Sequence, residues 1–312
     1  MTFLKRRGNN YPGTVPAGSP VEGDPVTGAG EKKERMDEPD VNGAEVPRQG
    51  KGRSDWVTLI LIPLVIVIIW LLENYLLAGN SHLFRQVSLP GLVIYTVLSG
   101  IVVGILVPVV RIRAAFLSGA VNMFQIGFRS LRRTVAAVSL TALVGYAGFV
   151  LMSMTGQDLD RLTGATLFIL LLPTAIAAVM ICWVLVGTHV QAYVRSGGVV
   201  ISVFTGVLLT ALVFAVSMSA LYATADFREM FVWFFALGCV AALFFFAVRD
   251  IYATIIVVTA GLIVLQNSRI DPAYLVPFNP VVALCGILAV GVLVGIHGHF
   301  SRHYTTVMIP GK

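Results

Sequence analysis

The chain alternates between long apolar runs and short polar segments from Trp56 onward. Most of the runs have the roughly 20 residues that an α-helix needs to cross a hydrocarbon core about 30 Å thick. The pattern predicts an all-α integral membrane protein, a bundle of about eight transmembrane helices. The eight runs cover residues 56–78, 91–110, 135–154, 166–187, 199–222, 230–248, 251–266 and 281–298.

Positive charge is concentrated on one side of these runs. If the N-terminus is inside, 18 of the 22 Lys and Arg residues lie in inner segments. Cytoplasmic loops of membrane proteins carry an excess of Lys and Arg. The charge distribution therefore predicts cytoplasmic N- and C-termini and a multi-pass protein of the cell membrane. The same bias accounts for the net charge of +6, so no nucleic-acid partner is expected.

Composition divides the chain into three parts. Residues 1–55 contain nine Gly and six Pro and show no apolar periodicity. Such a segment buries too little apolar surface to offset its ordering entropy, so a disordered cytoplasmic tail is predicted. Residues 56–304 form the predicted transmembrane domain, and residues 305–312 form a short cytoplasmic tail.

The boundary between the sixth and seventh runs is the least certain. Arg249 and Asp250 are the only polar break there, and neither Gly nor Pro is present to favour a turn. A tight hairpin is the preferred interpretation. The alternative is a single long tilted helix followed by a re-entrant piece, which would reverse the orientation of the C-terminal end.

Residues 114–131 have an amphipathic pattern between the second and third runs. Leu117, Val121, Phe124 and Phe128 lie on one helical stripe, which favours a helix in the cytoplasmic interface over packing against neighbouring loops. The surrounding arginines predict contact with anionic lipid headgroups. These arginines are Arg111, Arg113, Arg129, Arg132 and Arg133.

Two polar residues inside the runs are candidates for a substrate path or an ion pair. Glu73 is the only carboxylate within a run, and intramembrane acids often have functional roles. A structural pairing with Arg85 or Arg161, or snorkelling of Glu73 towards the headgroups, is the preferred interpretation. Thr174 follows Pro173, whose missing amide proton predicts a kink that could line a cavity.

Histidines cluster on the predicted inner side. His299 and His303 are four residues apart and would face the same way on a helix, and His189 could complete a three-nitrogen metal set. Because no acidic neighbour supports these histidines in sequence, ordinary interfacial positions are the preferred interpretation. No cofactor is predicted.

Two glycine pairs predict close helix packing. Gly100 and Gly104 lie in the second run, and Gly291 and Gly295 lie in the eighth. Glycines four residues apart let helix backbones approach closely in membranes. Packing within one bundle is favoured over a seam between two copies of the chain.

The sequence supports two classes of function. A non-enzymatic bundle, either passing a small solute or serving as the membrane subunit of a larger complex or homo-oligomer, is favoured because buried charge and catalytic motifs are lacking. A membrane-embedded enzyme acting on lipid at the cytoplasmic interface is the alternative. In the first class, Ser and Thr would line the path unless they bond to their own helix. These residues are Ser99, Thr141, Thr174, Thr205, Ser217, Ser219, Thr254 and Thr259.

Overall fold

The computed structural model describes seven segments of the chain, all of them in the compact unit 51–312. These segments are residues 60–79, 89–117, 123–154, 161–194, 197–222, 227–267 and 279–304. Both predicted tails, 1–55 and 305–312, lie outside the described residues. Every regular element within the described segments is helical, as the long apolar runs predict.

Each predicted apolar run coincides with one helix. Several helices are longer than predicted: α2 extends seven residues past Val110, α4 includes both polar flanks of its run, and α8 extends six residues past residue 298. The helices are α1 (Ile62–Gly79), α2 (residues 89–117), α3 (Leu131–Met154), α4 (residues 161–194), α5 (Val199–Leu221), α6 (Phe227–Val248), α7 (Ile251–Asn267) and α8 (Pro280–Tyr304).

Helices α2 and α4 each contain a wider, π-helical section. In α2 it spans Thr96–Leu106, and in α4 it spans Val179–Gly187. At the end of the first section, the Val107 amide donates to the carbonyl of Val102, five residues back. Extended π sections are rare and often occur at functional sites. In this bundle they belong to two helices that pack against each other.

Five helical stretches in the described segments are long and apolar enough to cross a membrane, so the chain is a helical membrane protein. Two shorter apolar helices, Ile62–Leu76 and Ile251–Leu265, accompany them. The five long stretches are Pro90–Leu117, Thr163–Val194, Val199–Leu221, Arg228–Val248 and Pro280–Arg302.

Helix α4 forms the centre of the bundle. Of its apolar stretch, 89% is buried, against 28% for the stretches in α6 and α8. Trp183 of α4 packs against Phe214 of α5 at a centroid distance of 5.2 Å, and Phe214 meets the edge of Phe234 of α6. The other helices therefore surround α4. Their outer faces expose large apolar side chains, as lipid contact requires.

The predicted interfacial helix over 114–131 is not continuous. Residues up to Leu117 continue α2, a single turn covers Met123–Ile126, and α3 begins at Leu131. Gly127 interrupts the helix with φ of 92°, a left-handed conformation that glycine adopts without strain. A side chain at this position would approach Phe245 and Ile251. Tertiary packing against the start of α7 therefore overrides the amphipathic pattern.

The chain turns sharply at Arg249 and Asp250, so a single continuous helix here is wrong. Helix α6 ends at Val248, and α7 begins at Ile251. The two helices then run side by side, because Gly261 in α7 faces the Leu237 side chain in α6. Arg249 makes the turn without glycine by adopting φ of 54°.

Candidate functional site

Apart from hydroxyls that bond to another helix, the Ser and Thr hydroxyls described inside the bundle include two contrasting sets. In the first, each hydroxyl donates to a carbonyl one turn earlier in its own helix, which satisfies it without any ligand. This set includes Thr141, Ser217, Thr254 and Thr259. In the second set, the hydroxyls of Thr96, Ser99 and Ser219 have no hydrogen-bond partner. Hydroxyls of the first set are satisfied by their own helix, whereas those of the second set still need a partner.

Unpaired polar atoms are concentrated where α1 meets α2. We call Glu73, Asn74, Thr96 and Ser99 the α1–α2 polar cluster. Both side-chain atoms of Asn74 are unpaired, as are Glu73 Oε2 and the hydroxyls of Thr96 and Ser99. Asn74 and Thr96 are fully buried, and Ser99 is 1% exposed. The cluster thus holds five buried polar atoms without a protein partner.

The two halves of the cluster lie close together. The Glu73 carboxylate is beside the Ser99 hydroxyl, although no hydrogen bond of good geometry joins them. Glu73 is also within electrostatic range of the Tyr95 hydroxyl. Asn74 follows Glu73 and lies on the buried face of α1 with Trp70. The Glu73 carboxylate therefore lies near the hydroxyls of Ser99 and Tyr95, while Asn74 and Thr96 are their sequence neighbours and are buried on α1 and α2.

Helix α4 closes the region from a third side. The hydroxyls of Tyr95 and Thr174 are 3.0 Å apart and form a buried hydrogen bond. A Cβ atom added to Gly100 would meet Pro173 at 3.4 Å, so α2 approaches α4 closely here. The Tyr95 hydroxyl bonds to Thr174 and lies within electrostatic range of Glu73. Tyr95 is therefore a neighbour of both residues predicted as path candidates.

The energetic cost of leaving these atoms unpaired makes this region the candidate binding site. A buried polar group that lacks a partner costs about 1–3 kcal/mol, and membrane interiors offer no bulk water to satisfy it. Five such atoms in one region are therefore strongly unfavourable when dry. Their cost is removed if a polar molecule or ion occupies the space between them.

A second polar region surrounds the turn between α6 and α7. The Arg249 guanidinium donates from Nη2 to Gln191 Oε1 at 2.7 Å and from Nη1 to the Gln125 carbonyl at 3.2 Å. Its own carbonyl accepts from Arg129 Nε at 3.0 Å. Burial and the neighbouring Arg129 guanidinium lower the pKa of Arg249. Unlike the α1–α2 cluster, this region is well supplied with partners.

Asp250 caps α7 from a fully buried position. Its Oδ1 accepts from the Ala253 amide at 2.9 Å, and its Oδ2 accepts from the Thr134 hydroxyl at 2.8 Å. An N-cap aspartate satisfies an amide at the helix start, and the helix dipole favours its charge. Asp250 therefore joins α7 to α3.

His297 joins α8 to the same region. Its Nε2 lies 2.9 Å from the Arg129 carbonyl, and its Nδ1 lies 3.1 Å from the Tyr252 hydroxyl. Because a carbonyl can only accept, Nε2 carries the proton and donates it. The ring also stacks on Phe128 at a centroid distance of 4.9 Å. These contacts tie the α2–α3 connection to α7 and α8.

Two of the three histidines predicted as metal ligands, His189 and His299, lie in different surroundings. His189 is buried, with Nδ1 2.7 Å from the Leu185 carbonyl, whereas His299 is exposed beside Phe300. The side chain of His303 lies outside the described residues. Within the described part of the chain, no three His, Cys, Asp or Glu side chains come together as a metal site would require.

The five arginines predicted to bind headgroups differ in exposure. Arg111, Arg113, Arg132 and Arg133 are exposed, and they lie at the end of α2 and the start of α3. Arg129 is half-buried and bonds to the Arg249 carbonyl instead. Four of the five side chains are thus accessible to lipid headgroups.

The glycine pairs differ in their packing. Gly104 faces Ala177 of α4, where an added Cβ would lie 2.9 Å from the Ala177 Cα. Gly291 and Gly295 are exposed, and no atom lies within 4 Å of a Cβ added at either. The pair in α2 therefore lies at a helix contact within the bundle, and the pair in α8 lies on an outward face.

Sequence reasoning missed the residues that complete both polar regions. The sequence pattern did not single out Asn74, Tyr95 or Thr96. Gln191 lies just beyond the fourth apolar run and Tyr252 lies at the start of the seventh, and neither position gives a signal of a partner on another helix. The helical phase of Asn74, four residues after Trp70, is the one signal that could have placed it on a buried face.

No family model, curated protein or solved structure matches this chain. The residues and their geometry alone therefore support the functional proposals.

Proposed function

We propose that this membrane protein binds a small polar solute within its helix bundle and conducts it across the bilayer. The observation that carries the proposal is the set of five unpaired, buried polar atoms on Glu73, Asn74, Thr96 and Ser99. Transporters and channels place such groups inside the membrane because a dehydrated solute needs replacement partners. A bundle that serves only as a scaffold gains nothing from leaving these atoms unpaired.

The position of the cluster fits a path across the membrane. Glu73 lies six residues before the end of α1, about 9 Å at the helical rise. Tyr95 lies six residues after the start of α2, and Thr174 adjoins Pro173 within α4. The polar atoms would therefore lie within the hydrocarbon region. The π-helical sections of α2 and α4, together with Pro173 in α4, make the backbones of these two helices irregular.

A topology of eight spans with both termini cytoplasmic belongs to this proposal. It is supported by the second polar region, which brings together the start of α3, the end of α4, the α6–α7 turn and the end of α8. In an alternating arrangement of eight spans these ends share one side. That side also carries most of the basic residues, in keeping with a cytoplasmic location in the cell membrane.

A flux measurement tests the proposed function. The full-length protein is reconstituted into phosphatidylcholine liposomes, and permeation of urea, glycerol and [14C]methylammonium is compared with that of empty liposomes. We expect at least one probe to permeate faster, and Asn74→Leu to remove the increase because it deletes two polar atoms of the cluster. Thr259→Val is the matched control, since Thr259 bonds only to its own helix at the Ile255 carbonyl. Rates equal to those of empty liposomes for all three probes would contradict the proposal.

A second proposal concerns lipid contact rather than transport. We propose that Arg111, Arg113, Arg132 and Arg133 bind anionic headgroups on the cytoplasmic side. The supporting observation is their exposure beside exposed apolar residues such as Leu117 and Leu131. Basic residues at a membrane surface attract anionic lipid.

Mass spectrometry of co-purified lipid tests the headgroup proposal. Replacing the four exposed arginines with Gln is expected to lower the ratio of phosphatidylglycerol to phosphatidylcholine that co-purifies from mixed vesicles. Arg228→Gln, at the exposed start of α6 on the opposite side of the predicted topology, is the control. An unchanged ratio in the fourfold variant would rule the proposal out.

A further inference from the structure

We infer that the α1–α2 polar cluster takes a small monovalent cation, an alkali ion or a primary ammonium. This inference deepens the proposed function, because it names the chemical class of the solute. It rests on the charge of the cluster and on the kinds of atoms that remain unpaired, which are considered in turn.

The cluster contains one carboxylate, and the described parts of the helices around it supply no cation, while the side chains of Arg85 and Arg161 lie outside the described residues. Residues 60–79, 89–110 and 163–187 contain no Lys, Arg or His. Within the described segments, Glu73 forms no hydrogen bond or ion pair through Oε2. An uncompensated carboxylate in a low-dielectric region is strongly unfavourable, so it needs a cation or a proton. A single carboxylate balances a single positive charge, which favours a monovalent ion over a divalent one.

The unpaired atoms are mainly oxygens suited to such an ion. Four of the six unpaired polar atoms on this part of α1 and α2 are oxygens that can accept, namely Glu73 Oε2, Asn74 Oδ1 and the hydroxyls of Thr96 and Ser99, and the other two are the donors Asn74 Nδ2 and Trp70 Nε1. A primary ammonium offers three donors and no acceptor, and therefore matches a set of this kind. An alkali ion uses the same carboxylate, carbonyl and hydroxyl oxygens as ligands. Both ions present the chemistry that the cluster lacks.

The enclosure of the cluster limits the size of the ion. Asn74 and Thr96 are fully buried, and the hydrogen bond between Tyr95 and Thr174 closes the side towards α4. Gly100 against Pro173 brings α2 close to α4. Because α2 and α4 approach closely here, we expect a small cation such as sodium, potassium or methylammonium to be favoured over a bulky quaternary one.

Direct binding tests the inference. Full-length protein in phosphatidylcholine nanodiscs is titrated with 22Na⁺ and with [14C]methylammonium, with N-methylglucamine chloride holding the ionic strength constant. We expect saturable binding of at least one probe, and competition between unlabelled and labelled forms of it. The two arms distinguish an alkali-ion site from an ammonium site.

Variants identify the residues responsible. Glu73→Gln keeps the shape but removes the charge, and is expected to weaken binding about tenfold or more. Ser99→Ala removes one oxygen, keeps good helix propensity, and is expected to weaken binding less. Glu229→Gln is the matched control because that carboxylate is exposed at the start of α6, away from the cluster. Size-exclusion profiles establish that each variant is folded.

The outcomes separate this inference from the transport proposal. Absence of saturable binding for both cations, or binding that Glu73→Gln leaves unchanged, overturns the cation inference. If urea or glycerol then still permeates in a manner that depends on Asn74, the transport proposal stands with a neutral solute. Saturable cation binding without any flux retains the cation site and overturns transport.

Discussion

Arg249 combines an unfavourable backbone conformation with an extensive set of side-chain contacts. Its φ of 54° lies in the left-handed region, which costs a non-glycine residue roughly 1–2 kcal/mol. In return, its guanidinium bonds to Gln191 and to the Gln125 carbonyl, and it lies 5.0 Å from the Phe246 ring centroid. The side-chain contacts therefore hold a turn that glycine would usually make.

Substitutions at Arg249 separate these two contributions. Arg249→Ala and Arg249→Gly both lose the guanidinium contacts, but only alanine retains the backbone strain. We expect the glycine variant to be more stable than the alanine variant by about 1 kcal/mol. Unfolding of both proteins by denaturant titration in mixed micelles measures the difference. An alanine variant at least as stable as the glycine variant would show that the turn is not strained.

Asp250 and Thr134 are expected to act as a coupled pair. Asp250→Ala removes the N-cap of α7 and leaves the buried Thr134 hydroxyl without its acceptor. Loss of the cap alone costs about 0.5–2 kcal/mol. A double-mutant cycle with Thr134→Val should give a coupling free energy of at least about 0.5 kcal/mol. Additive effects of the two substitutions would mean that the hydrogen bond contributes nothing to the stability of the bundle.

At the scale of whole helices, contacts between α2 and α4 depend on small residues. Apolar burial gives little driving force between helices in lipid, so close packing matters more. Gly104 permits this packing because the Ala177 backbone occupies the space that a side chain would need. The same sequence motif in α8 has no such neighbour, so its sequence pattern alone does not reveal whether it packs.

The two glycine pairs give a matched test of helix packing. Gly104→Ala is expected to destabilise the protein by about 1–3 kcal/mol, because α2 must move away from α4. Gly295→Ala, on the open face of α8, should change stability by less than that, and alanine favours helix by up to about 1 kcal/mol. Denaturant titration compares the two variants. Equal losses of stability in the two variants would indicate that the glycine face of α8 also packs closely against a partner, such as a second copy of the chain.

Local sequence patterns place the helices well and their partners poorly. The apolar runs predict the position of each of the eight long helices because membrane spans must satisfy their backbone polar groups internally. The interfacial helix over 114–131 was predicted from its amphipathic stripe, but Gly127 and the start of α7 interrupt it. The sequence left the turn at Arg249 uncertain, because its stabilising partner Gln191 is 58 residues away in the chain.

Residues of the candidate site could likewise be predicted one by one, but not as partners. Glu73 and Thr174 were identified singly, because a carboxylate and a proline-adjacent threonine stand out in apolar runs. Their connection through Tyr95 could not be predicted, since it depends on the relative rotation of three helices. The division of Ser and Thr into self-bonded and unpaired hydroxyls also requires the structure, because both kinds occur at the same helical spacing.

At the scale of the whole molecule, the two polar regions lie at different depths and have different character. The region around Arg249 is fully bonded and joins the ends of several helices. The α1–α2 polar cluster is unpaired and lies among helix interiors. We therefore propose that the first holds the bundle together on one side while the second receives the solute.

The proposed eight-span topology predicts the location of two chain positions. A fluorescent protein fused after Lys312 should fold and fluoresce in the bacterial cytoplasm, because the positive-inside bias places this end inside. Alkaline phosphatase fused after residue 270 should be active, because the connection between α7 and α8 is then outside. Fluorescence at residue 270, or phosphatase activity at residue 312, would contradict the topology.

The central claim, that the α1–α2 polar cluster is open to a polar solute, is tested most directly by cysteine labelling. Ser99→Cys is made in a background where Cys182, Cys239 and Cys285 are replaced by Ala, and the protein in proteoliposomes is treated with methanethiosulfonate ethylammonium. Although Ser99 is 1% exposed, we predict that the new thiol reacts, and that the reaction slows when the bound cation is present. Thr259→Cys, equally buried but bonded within its own helix, should not react. If Ser99→Cys is as inert as Thr259→Cys, the cluster is closed to polar solutes and the account is wrong.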